Sequence, residues 1–298
     1  MVKLAFLSAG APRHGRNITK QWQGIADDLG FGWQLDFLEW RNNAYDDYDF
    51  GLYDYCIWVG CFERVFEFME QISGPKHAAL WVGTDILQHQ GMVAQGHPDA
   101  FAAAHIHLAD ATNLVIEAKE LTGLDVGLVR SIPPETYDAV PVGRWDSVLG
   151  YVPTGRDDFF RWAWFLELAR DYPDVAFHII GRETKESLPP NVIIHQETAG
   201  ADKRRLFERC FAYLRPIEHD GIGLTLVEMA QMGRFVFHSD TRIPHVLPAR
   251  SVGEMEVHLD DIIENHRIPD PRISEHYRRE FSDERLRSDL ESLRQRMG

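Results

Sequence analysis

One segment, Phe211 to His238, constrains the fold of this chain more than any other. Phe211 to Leu214 is an apolar run at strand length, and it leads into a loop that holds Gly221 and Gly223. Leu224, Val227 and Met232 follow as the apolar positions of a helix, and Phe235 to His238 is a second short strand. A strand–helix–strand unit of this kind belongs to a parallel sheet with helices on its faces. Two carboxylates, Asp220 and Glu228, bracket the helix start. The glycines let backbone approach a ligand closely. The helix start offers free N–H groups and a positive dipole end, which suit phosphate or hydroxyl oxygens. A carboxylate further along the helix can accept two hydroxyl hydrogens at once.

The rest of the chain repeats the same alternation. Lys3 to Ser8 reads as a buried strand, followed by a loop with Gly10, Pro12 and Gly15 and a helix marked by Ile18, Trp22, Ile25, Ala26 and Leu29. Trp33 to Leu38, Tyr55 to Gly60, Ala78 to Val82 and Val126 to Val129 read as further strands, with Leu114 to Ile116 beginning either a strand or a helix. Proline and glycine between Ile132 and Gly143 mark a hinge. The alternation then restarts: strands at Ser147 to Val152, Val175 to Ile180 and Asn191 to His195, and helices at Asp157 to Asp171 and Asp202 to Arg209. A last helix runs from Ile273 to Met297 after Pro269 and Pro271. The expected organisation is an α/β protein of two Rossmann-like domains, 1–142 and 143–298, with a ligand at the carboxyl ends of the strands.

Composition narrows the function classes. A chain of 298 residues is long enough for two ordinary domains, and 44% hydrophobic with 26% charged residues fits a globular protein. The net charge of −15 argues against a broad nucleic-acid or anionic-membrane surface, so no nucleic-acid partner is expected. The start, Met1 to Ser8, reads as a strand rather than a signal peptide, and no stretch reaches membrane-spanning length. Cys56, Cys61 and Cys210 form no even framework and no zinc spacing, which points to structural thiols and a reducing, cytoplasmic setting.

The Arg215 to Phe237 stretch resembles the donor-binding motif of retaining nucleotide-sugar glycosyltransferases with the GT-B fold, whose members commonly carry two glutamates with seven residues between them. Here the two places are Asp220 and Glu228. The resemblance implies two Rossmann-like domains facing a central cleft and a terminal helix, 273–297, that crosses back onto the first domain. It implies transfer of a hexosyl group from a nucleotide diphosphate sugar, UDP- or GDP-linked, to a hydroxyl acceptor, with no cofactor and no metal. Under it Glu228 holds ribose hydroxyls. Asp220, with the backbone of Gly221, Ile222, Gly223, Leu224 and Thr225, positions the sugar or diphosphate. Arg156 stands where the family has lysine, and Tyr151 where it has arginine, so one cation on the diphosphate is missing and Arg215 or Arg182 is left to compensate. Gly181, Arg182 and His195 fall on donor-side turns, the last beside the nucleotide base. Gly10, Gly15, Gly83, Thr84 and Asp85 fall on the acceptor side; where some relatives carry a histidine before that glycine, this chain has Val82.

Other features carry less. His105 and His107 with Asp110 have a metal-like spacing, but His-x-His alone is far more often structural, and no metal site is assigned. Phe159, Phe160, Trp162, Trp164 and Phe165 load one helix. Packing accounts for most of them, and a partner, a peripheral membrane contact through a lipid-linked acceptor, or the other domain are alternatives for the remainder. Three further activities stay open from sequence. A sugar-nucleotide epimerase of the same fold would consume donor without acceptor. A catalytically inactive sugar-nucleotide-binding subunit would bind without turnover. A nucleic-acid base modifier would need a basic cleft.

Overall fold

The protein is described here by a computed structural model covering residues 1–8, 12–39, 48–61, 63–94, 98–133, 135–183, 186–196 and 198–298. It divides into two compact units, Met1–Pro134 with Phe281–Gly298, and Glu135–Glu280.

In the first unit, β1 (Val2–Ser8), β2 (Trp33–Glu39), β3 (Tyr55–Val59), β4 (Lys76–Trp81), β5 (Ile106–Ala109) and β6 (Val126–Leu128) form one parallel sheet in the order β2-β1-β3-β4-β5-β6. Strands covered on both faces need continuous apolar runs, and β3 is buried at all five positions. The connecting helices are α1 (Pro12–Asp28), α2 (Glu63–Gln71), α3 (Asp85–Ala94) and α4 (Thr112–Thr122). The helical spacing in α1 puts Ile18, Trp22, Ile25 and Ala26 in the core, where Trp22 meets Phe6 edge-on at 5.0 Å. Leu114 begins no strand; it is a buried position of α4. The strand β5 was not apparent from sequence, because it is four residues long and carries His107. That ring is buried, faces the Phe101 carbonyl at 3.1 Å, and stacks beside Phe66 and Trp81.

In the second unit, β7 (Ser147–Tyr151), β8 (Ala176–Ile180), β9 (Val192–His195), β10 (Ala212–Arg215), β11 (Phe235–His238) and β12 (Leu247–Pro248) form a second parallel sheet, ordered β12-β11-β10-β7-β8-β9. Its helices are α5 (Trp162–Asp171), α6 (Gly200–Arg209), α7 (Leu224–Gln231), α8 (Val252–Glu264) and α9 (Pro271–Glu280). The core gathers Val148, Phe165, Phe177, Ile179, Leu214, Phe237 and Leu259. All five aromatics of the 159–165 run belong to it: Phe160, Trp162 and Phe165 are buried, and Phe159 and Trp164 pack against them. Gly150 lets α5 come close, since a Cβ there would stand 2.4 Å from Phe165.

The expected final helix is two helices. It breaks at Phe281 and Ser282, where the Ser282 hydroxyl accepts the Arg285 amide at 3.2 Å and starts α10 (Asp283–Met297). Helix α10 lies in the first unit. Leu286, Leu290 and Leu293 are buried there, and Asp289 receives Arg130 at 2.7 and 2.8 Å. Among the described residues no helix is long and apolar enough to cross a membrane.

Candidate functional site

The strand order of the second unit reverses between β7 and β10. Chain leaving two such strands runs to opposite faces of the sheet and opens a crevice at their carboxyl ends. Tyr151 ends β7, Arg215 ends β10, and Asp220, Gly223 and the first turn of α7 follow.

Arg215 is the centre of this place. It is 8% exposed; its Nε donates to Asp220 Oδ2 at 2.5 Å and its Nη1 to the Tyr213 hydroxyl at 3.1 Å. A Cβ on residue 223 would stand 2.9 Å from the Arg215 Cζ, so the glycine leaves the guanidinium room to lie against the entry to α7. The same Cζ sits 5.8 Å from the Tyr151 ring centre and 5.6 Å from that of Phe160. His238 pairs in register with Arg215 one strand over and is fully buried. Its Nδ1 accepts the Asp240 amide at 2.9 Å, which in the neutral imidazole leaves the proton on Nε2, 3.6 Å from Asp220 Oδ2.

Burial would raise the Asp220 pKa, but the Arg215 guanidinium and His238 outweigh it and hold the carboxyl well below the usual carboxylate range. Burial likewise opposes the Arg215 charge, and Asp220 and Tyr213 more than offset it, so Arg215 is raised. The pair is therefore ionised and close to neutral in sum. Beside it, Gly223 is the N-cap of α7 and no side chain caps the helix; the Leu226 amide turns back to the Gly223 carbonyl at 2.9 Å, which leaves the Leu224 and Thr225 amides as the donors of the helix start.

Glu228 lies one turn further on and is 1% exposed. Its Oε1 accepts Lys203 Nζ from α6 at 2.5 Å, while its Oε2 is buried without a hydrogen-bond partner. Burial raises its pKa, Lys203 lowers it, and Glu135 adds to the rise. A buried carboxylate oxygen with no donor is an open acceptor site.

The other expected donor-side residues divide. Arg156 is exposed, rests over the Phe159 ring at 4.2 Å, and has no carboxylate partner among the described residues. Arg182 is tied to Asp157 at 2.6 and 3.2 Å and stacks over Trp162 at 4.2 Å. Gly181 has φ +84°, and a Cβ there would meet the Tyr151 ring at 2.8 Å. Gly221 is buried; Ile222, Leu224 and Thr225 are half-buried around the loop. His195 belongs to the edge strand β9, where its Nε2 lies 2.9 Å from His178 Nδ1. Lys203, Tyr213 and His238 were not anticipated. Lys203 is 25 residues from its partner, but His238 was legible as the polar end of the strand next to Arg215.

On the first unit, Gly10 lies outside the described residues. Gly15 serves packing: a Cβ there would stand 2.6 Å from the Phe37 ring and 2.9 Å from Ser8 Cβ. Gly83, at φ +132°, makes the turn that brings Asp85 back to accept the amides of Cys61 at 2.7 Å and Val82 at 3.2 Å. Asp85 is thereby engaged in joining the ends of β3 and β4, and Thr84 beside it is half-buried. The three cysteines are free and buried; burial pushes the Cys56 thiol up to about 12, and Cys210 likewise, so neither is a ready nucleophile.

No family model matches the chain, and no curated protein matches it in sequence. Solved structures do. The sucrose-phosphate synthase of Thermosynechococcus elongatus superposes with a TM-score of 0.70 at 12% identity, over 100% of this chain and 99% of that one. HepE of Anabaena, solved with UDP and glucose, gives 0.65 at 11% identity over 98% and 99%. TarM gives 0.59 at 12% identity over 82% of this chain, which spans 54% of TarM. Identities this low speak to architecture and not to chemistry. With two parallel six-stranded sheets, each flanked by helices, this chain has the GT-B fold seen in glycosyltransferases.

Proposed function

We propose that this protein is an enzyme that transfers a hexosyl group from a nucleotide diphosphate sugar to a hydroxyl acceptor, with retention at the anomeric carbon. The observation that carries the reading is the buried Arg215 guanidinium, held by Asp220 and Tyr213 against Gly223 at the uncapped start of α7. A fixed cation beside the start of a helix suits a diphosphate, and it suits best the charge that accumulates as the diphosphate departs. Arg215 stands over the Tyr151 ring, so it supplies from the next strand the cation that position 151 lacks. In this reading Asp220 orients Arg215 rather than reaching the sugar by itself. Arg156 provides the second cation. Glu228 takes a ribose hydroxyl on its open Oε2.

No protein nucleophile is needed. The acceptor oxygen arrives as the diphosphate leaves, and a leaving-group oxygen takes the acceptor proton; the protein contributes position and electrostatics. The UDP bound to HepE makes UDP-sugars the first donors to test, with GDP-sugars next. Three buried free thiols fit a reducing, cytoplasmic setting.

The test is a melting-temperature series with UDP, GDP, ADP and their sugars. A ligand at about a hundred times its Kd adds about 2.7 kcal/mol to the folded state. At least one nucleotide should raise the melting temperature, and Glu228→Gln should remove most of that rise. Donor breakdown should depend on added hydroxyl acceptor, because an epimerase would turn donor over alone. The reading fails if no nucleotide shifts the transition.

A further inference from the structure

Helix α6 and the strands β8 and β9 enclose a recess of about 410 Å³ at the outer edge of the second sheet. His178, His195, Thr198, Asp202, Arg205 and Arg209 line it. The chain carries a net charge of −15, yet here two guanidiniums face one carboxylate. Arg205 pairs with Asp202, while Arg209 has no carboxylate partner among the described residues. Two polar atoms in the wall are buried without partners, His178 Nε2 and Thr198 Oγ1. His178 is only 2% exposed. Unmet buried polar atoms are rare in folded proteins, and two on one recess call for a shared explanation.

The histidine pair sharpens the chemistry. His178 Nδ1 and His195 Nε2 are 2.9 Å apart and share one hydrogen. If His195 Nε2 donates, the neutral His178 ring carries its own proton on the unpartnered Nε2; if His178 Nδ1 donates, the neutral His195 ring carries its proton on Nδ1. In both tautomers one imidazole N–H is left over. Burial and nearby Arg209 lower both rings, His195 adds to the lowering on His178, and Asp146 is the one opposing charge there. The wall thus offers a hydroxyl, an imidazole N–H and a guanidinium fork, and it exceeds the roughly 30 Å³ share of one water many times over. A tetrahedral oxyanion accepts from donors of these kinds.

We propose that this recess binds a phosphoryl group, as inorganic phosphate or as a phosphate monoester, at a place separate from the Arg215 site.

The experiment is calorimetric titration of the full chain with inorganic phosphate and, in parallel, with glycerol 3-phosphate. The wild type should bind at least one of them, and the stronger response identifies the source. Arg209→Gln alters an exposed side chain, so the fold is kept; it should weaken that binding about tenfold to a hundredfold, the loss of one charge-assisted hydrogen bond. Its UDP response should match the wild type, while Glu228→Gln should lose UDP and keep phosphate. Absence of binding by both probes overturns the proposal, as does undiminished phosphate binding in Arg209→Gln.

Discussion

Asp220→Asn is the most demanding test of the donor-site electrostatics. The substitution keeps the shape of the side chain and removes its charge, leaving Arg215 buried at 8% exposure without a counter-ion. Breaking a buried pair from one side costs about 3–5 kcal/mol, because the surviving charge stays desolvated. At about 2–4 °C per kcal/mol for a domain of this size, the melting temperature should fall by roughly 6–20 °C. Removing both charges tells packing from pairing: Arg215→Met with Asp220→Leu should return close to wild-type stability. The pH dependence has a definite sign. The folded pKa of Asp220 lies below its unfolded value, so its stabilisation is complete above the unfolded range, near 3.9, and declines as pH falls below it. The gap between wild type and Asp220→Asn should therefore be widest near neutrality and narrow in acid. Calorimetry or circular dichroism melts at several pH values measure it. A loss under about 1 kcal/mol at neutral pH, the scale of a surface pair, would refute the desolvated-pair argument.

Further outcomes follow from other contacts. Lys203→Met leaves Glu228 buried without its cation; the raised carboxyl pKa then climbs further, so stability should drop as pH rises above the unfolded carboxylate range and recover on acidification, read from melts in acid and at neutral pH. Gly150→Ala should cost about 1–3 kcal/mol by overpacking against Phe165, with nucleotide affinity unchanged in a binding titration. Arg156→Ala should move stability by no more than about 0.5 kcal/mol while lowering turnover, and an unaltered rate in a transfer assay would take Arg156 out of the site.

Much of the scaffold was readable because strand and helix signals are local. The 211–238 segment folds as strand, loop, helix and strand within a residue of expectation, since apolar runs and glycine positions dictate each piece nearby. Elements that mix polar residues into short runs were harder. The strand β5 hides behind two histidines, and α8 went unread although Ser251 and Glu254 form a cap whose amide-to-hydroxyl bond is 3.2 Å. The break before α10 was also legible in Ser282 followed by Asp283 and Glu284. Asp220 and Glu228 stand out in the sequence by type and spacing, but the pairing of Asp220 with Arg215 and of Glu228 with Lys203 does not. That Asp220 is spent on Arg215, that Gly223 exists for the same guanidinium, and that Lys203 reaches Glu228 are consequences of strand order and helix packing. No local pattern encodes which of several arginines ends up free, as Arg156 does, or engaged, as Arg182 does.

The most direct measurement is a crystal structure of this protein soaked with UDP or the nucleotide that stabilises it best. The account predicts phosphate oxygens within about 2.7–3.2 Å of the Arg215 guanidinium and the first-turn amides of α7, with a ribose hydroxyl on Glu228. Nucleotide bound elsewhere, with Arg215 and Glu228 untouched, would contradict it.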